Sequence, residues 1–74
     1  MGYTRKMLMT LPVSDTQWHV REMLARWYAK NHGLYGDQGG WIKTPKGKPL
    51  AQGWTTFYMK FRRAILTEFW GITH

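Results

Sequence analysis

Seventy-four residues, with eleven Lys and Arg against four Asp and Glu and no Cys, make a small basic chain of formal net charge +7. Disulfide staples and a Cys-based zinc site are excluded. No apolar run reaches the length of a signal core or a membrane span, because Met7-Leu8-Met9 is interrupted at Thr10 and stopped at Pro12.

A chain this short is expected to form one domain over residues 1–74, burying only about 60% of the surface its unfolded form exposes. Five Trp, four Tyr and three Phe must therefore supply most of one aromatic-rich core. Met1-Gly2 opens like a myristoylation site, but Lys6 stands where Ser or Thr is required. Together with the Cys-free composition this fits a cytoplasmic protein.

Residues 1–11 carry β-formers in partial alternation, with no cleanly apolar face, and predict a short strand or a mobile arm ended by Pro12. Ser14-Asp15-Thr16-Gln17 has the spacing of a capping box and opens a helix over 14–32, with Gly33 just past its end. Val20, Met23, Leu24, Trp27 and Tyr28 form its expected core stripe. His19, Glu22, Arg26 and Lys30 form its wet face, with Glu22 four residues before Arg26.

The four glycines of 33–40 argue against a regular element there. Residues 41–51 predict a basic hairpin: a strand from Trp41 to Thr44, a turn from Pro45 to Lys48, and a return strand from Pro49. That proline places the return strand at an edge. A second helix follows over 54–70, capped by Thr55 or Thr56 and stopped at Gly71. Trp54, Tyr58, Phe61, Ile65 and Phe69 share its core face. Met59, Leu66 and Trp70 add an apolar flank that either packs inward or meets a partner. The fold class is thus α+β, two helices on a short hairpin or small antiparallel sheet.

Catalysis finds little purchase in this pattern. Asp15, Glu22, Asp37 and Glu68 are scattered, and His19, His32 and His74 have no metal-ligand spacing, so neither an enzyme nor a metal or other cofactor is expected. The glycine-rich segment lacks the Gly-Lys-Ser/Thr sequel of a phosphate loop.

Binding finds more. Lys43, Lys46 and Lys48 crowd the hairpin, Lys60 and Arg63 stand one turn apart on the polar face of the second helix, and Arg5 and Lys6 form a separate cluster. Trp41 is the aromatic best placed to stack on a base, or else an anchor under the hairpin. Cations interleaved with flat rings suit a polyanion, so association with DNA or RNA in gene regulation is the leading expectation. The alternative is a phage-type regulator whose positive surface meets an acidic protein such as host RNA polymerase, with Met59, Leu66 and Trp70 as apolar anchors.

Family patterns give little. The long glycine-rich connection does not match the short turn of a helix-turn-helix. The helix–hairpin–helix order resembles double-stranded-RNA-binding domains, which need three strands where only two are expected here. Lys46-Gly47-Lys48-Pro49-Leu50 with Trp54 and Phe61-Arg62-Arg63-Ala64 resembles a segment of tyrosine recombinases, without that family's catalytic arginines or tyrosine nucleophile.

Overall fold

The computed structural model describes residues 3–73, the last two by backbone alone; Met1 and Gly2 of the expected arm, and His74, lie outside the described residues. The elements run α1 (Arg5–Thr10), a 3₁₀ turn (Val13–Asp15), α2 (Trp18–Asn31), β1 (Tyr35–Gly36), β2 (Trp41–Lys43), β3 (Pro49–Gln52) and α3 (Trp54–Thr73). The fold is α+β: helices on a three-stranded antiparallel sheet of order β1-β2-β3, around one core rich in aromatic rings.

The N-terminal segment is a helix, neither strand nor free arm. Thr4 caps α1, its hydroxyl accepting from the Met7 amide at 3.1 Å, and Leu8 inserts into the core at 3% exposure. One deeply buried leucine outweighs the weak alternation that suggested an extended segment.

Helix α2 begins at Trp18, four residues beyond the expected start. Ser14 and Asp15 belong to the 3₁₀ turn, and Gln17 occupies the N-cap without a side-chain capping bond, so the capping-box spacing is not used. The buried stripe is correspondingly rotated. Val20 and Leu24 lie inside as expected, with Ala25 and Ala29 beside them, whereas Met23 is 58% exposed. Small alanines let α3 approach closely, and α2 against α3 is the most extensive packing in the molecule.

The C-terminus of α2 closes as a Schellman motif. Gly33 takes φ +69°, its amide reaches Lys30 O, and Leu34 N donates to Ala29 O at 2.9 Å. The chain thus turns back to place β1 beside β2, with Gly36 opposite Ile42. This third strand corrects the two-strand expectation. After α1 the order becomes α-β-β-β-α, in strands of only two to four residues. Order alone carries no function.

Helix α3 begins where expected but differs in its cap and in its C-terminal end. It starts at Trp54, with Gly53 O accepting from Phe57 N at 3.0 Å, so Thr55 and Thr56 are not its cap. It continues through Gly71 to Thr73 and bends at Phe61, whose φ −114° and ψ 18° leave the helical region. Phe57, Tyr58, Ile65 and Leu66 are completely buried along it. Among the described residues, no helix is long and apolar enough to cross a membrane.

Candidate nucleic-acid interface

The hairpin tip is built by its own residues. Pro45 fixes the first corner, Gly47 N donates to Thr44 O at 2.8 Å, and Gly47 takes φ +87°, where a side chain would be strained. Thr44 Oγ1 then accepts from Lys48 N at 3.0 Å. This three-residue loop carries Lys46 at its apex and hands over to Lys48, and both lysines are exposed.

One step below, the ladder slips. Ile42 pairs with Ala51 but Lys43 pairs with Pro49, so Leu50 is the extra residue of a bulge. Its carbonyl, released from the ladder, accepts from Lys60 Nζ at 2.9 Å. The bulge therefore tethers a cation of α3 to the hairpin, a link that sequence spacing does not reveal. Arg63, one turn further along α3, is exposed beside an open groove of about 600 Å³ whose wall includes Met9, Tyr28 and Glu68.

Lys43 has a different role. Its ammonium sits 2.7 Å from Asp37 Oδ2, while Asp37 Oδ1 accepts from the amides of Gly39 at 3.0 Å and Trp41 at 3.1 Å. The Lys43 hydrogen bond is the chief reason the Asp37 carboxyl titrates below its ordinary 3.8, and Asp37 holds Lys43 above its ordinary 10.5. Lys43, expected to meet phosphate, is already paired with a carboxylate and serves the β1–β2 turn. Asp37 is the residue the sequence reading passed over. Its signal was Asp two places before Gly in a glycine-rich turn, the setting of an Asx turn.

Strand alternation turns Ile42 inward, at 1% exposure, and puts Trp41 on the outer face with Lys43. Trp41 is 40% exposed, so it is not an anchor under the hairpin. Arg5 and Lys6 are exposed on α1, an element that packs chiefly on α3. Leu66 is buried at 0% and Trp70 packs edge-on to Phe69 with centroids 5.1 Å apart. The flank of Met59, Leu66 and Trp70 is therefore not a continuous exposed stripe, and Met59 alone of the three is largely open.

Beside the tip lies a second cavity, about 320 Å³, between the end of α2, the hairpin and α3. Tyr28 and His32 stack on one side, centroids 4.2 Å apart and 29° between planes. Phe57 and Phe61 pack at 4.8 Å on another, and Thr44, Pro45 and Leu50 close it from the hairpin. His32 Nε2 lies 2.6 Å from Glu68 Oε1, tying the end of α2 to α3. Sequence reading placed His32 at a helix end but gave no sign of this pairing, since 36 residues separate the two.

Comparison with family models, with curated proteins and with solved structures finds no match to this chain.

Proposed function

We propose that this chain is a small non-catalytic binding protein that associates with nucleic acid in gene regulation. Lys46, Lys48, Lys60 and Arg63 would be its principal phosphate contacts, and Arg5, Lys6 and Trp41 subsidiary ones. The observation that carries the reading is the bond from Lys60 to the bulge carbonyl of Leu50. It supports one contiguous cationic surface, because it brings the helix lysine to the same hairpin that presents Lys46 and Lys48. Three of the four carboxylates are engaged elsewhere, Glu22 with Arg26, Asp37 with Lys43 and Glu68 with His32, so little acid is left to neutralise the tip. Phosphate contacts from such exposed ammonium groups need no cofactor, and a Cys-free chain suits the reducing cytoplasm.

Four phosphate contacts set the expected salt dependence. Log affinity against log salt should fall with a slope of about −3 to −4 on duplex or single-stranded oligonucleotides. Substituting Lys46→Glu with Lys48→Glu should flatten that slope by about 2. A flat slope for the unaltered protein rejects the reading. Docking on an acidic host protein such as RNA polymerase would instead leave a stoichiometric protein partner after nuclease treatment of a pull-down. That reading is the weaker one because Leu66, one of its three apolar anchors, is inaccessible.

A further inference from the structure

We infer that the aromatic cavity beside the hairpin tip receives one unstacked base of a single-stranded nucleic acid, a statement that rests on the nucleic-acid reading above and narrows it. At about 320 Å³ the cavity falls at the small end of the range for ligand sites, about 300–1,000 Å³. Its walls are flat rings. The Tyr28–His32 stack offers a platform, and Phe61, backed by the buried Phe57, offers a second apolar surface at the bend of α3. A π-face suits any base, so this wall favours stacking without demanding a sequence.

The cavity's rim favours the same occupant. Leu50, which lines the cavity, gives its carbonyl to the Lys60 ammonium, which also lies 5.7 Å from the Phe61 ring. Pro45 lines the cavity, and Lys46 follows it directly at the tip. Cations therefore border an apolar slot, which is the arrangement a nucleotide presents in reverse: an anionic backbone outside and a flat base inside. Glu68, the acid bonded to the lining residue His32, lies 2.6 Å from His32 Nε2 and accepts from Asn31 Nδ2 at 3.4 Å. Thr44 is the hydroxyl among the lining residues nearest the tip. Its oxygen already accepts from Lys48 N, which leaves its own proton to donate to a base edge. A paired base within a duplex cannot enter, because its faces are already stacked.

The test compares three fluorescent probes of equal length at one salt concentration: a single-stranded thymidine oligomer, the same oligomer with abasic sites throughout its centre, and a duplex. The base-bearing single strand should bind about 5- to 100-fold tighter than the abasic strand, the range expected when one base stacks on protein rings. His32→Gln, which removes the ring but keeps a polar amide for Glu68, and Phe61→Leu, which keeps apolar bulk, should each erase most of that preference and leave abasic affinity nearly unchanged. Equal affinity for base-bearing and abasic strands overturns the cavity assignment while leaving phosphate binding intact. A duplex bound as tightly as the single strand overturns it as well. Failure of all three probes to bind at low salt removes the nucleic-acid reading itself.

Discussion

The two ends of this molecule use the same kind of residue for opposite purposes. Around the N-terminal segment, two arginines are committed to backbone. Arg21 Nε donates to Thr16 O at 2.8 Å, and Arg62 Nη1 to Leu11 O at 2.5 Å, pinning the links that join α1, the 3₁₀ turn and α2. At the hairpin tip, lysines stand in water with their charge unopposed. A formal +7 is therefore not a uniform reservoir of ligand contacts. Guanidinium groups, with several donors in a fixed fork, suit the part-buried carbonyls, while compact ammonium groups on flexible stems suit a surface that must meet phosphate.

The largest way to break this contrast is to unseat α1. Leu8→Ala removes a side chain only 3% exposed, and a buried leucine truncated this way costs about 2–5 kcal/mol. Against the roughly 5–15 kcal/mol that holds a typical domain folded, that should lower the urea midpoint markedly. A mobile arm would show no change. The oligonucleotide affinity of the remaining folded fraction should hold, since the hairpin and Lys60 are untouched.

A smaller and opposite effect is expected at the hairpin base. Asp37→Asn keeps an oxygen for the Gly39 and Trp41 amides but removes the charge that occupies Lys43. Freed, Lys43 should join the phosphate contacts, raising affinity about 2- to 5-fold and steepening the salt slope by up to about 0.9. The pH dependence has a definite sign. The carboxyl of Asp37 titrates below 3.8, so its contribution to the turn is present above that value and lost as pH falls through the folded value. The Lys43 side of the pair is present below 10.5 and lost as pH rises through its own, higher, folded value. Amide exchange at Gly39 and Trp41, followed below pH 4, should show the acid step in the unaltered protein and lose it in the Asn variant. A loss of affinity in that variant would mean that the pair, not the free cation, shapes the binding surface.

Much of this architecture could be read from the residues, and the failures share a cause. The helix stop at Gly33, the Glu22–Arg26 pair and the edge position of Pro49 are local chemistry, and all three are present. The expected α+β arrangement holds too. What sequence reading lost were outcomes decided by distant contacts. Leu8 makes α1 a docked helix because α3 offers it a core. Ala25 and Ala29 replace Met23 on the buried face because tight helix approach rewards small side chains there. Tyr35 and Gly36 pair with β2 because Asp37 organises the turn between them. The candidate site divides along the same line. Exposed lysines at a Pro-Lys-Gly-Lys turn were legible. The bulge at Leu50, the tether from Lys60 and the ring-walled cavity require residues brought together across 10 to 36 positions.

The smallest effect lies where the two ends meet. Tyr58 is completely buried on α3, and its phenolic oxygen has no hydrogen-bond partner among the described residues. Burial pushes the phenol above its ordinary 10.0, against the pull of the Arg62 and Arg21 charges. An unpaired buried hydroxyl costs free energy without returning a bond, so Tyr58→Phe should be neutral or stabilise by up to about 1 kcal/mol. Because the folded-state value is raised, stability should fall as pH rises above 10 in the unaltered protein, and that loss should be reduced in the Phe variant. Destabilisation by 1 kcal/mol or more at neutral pH would show that the hydroxyl is held by a buried water bridging it to the arginines. Those two guanidinium groups would then help to orient the ring as well as to anchor the N-terminal segment.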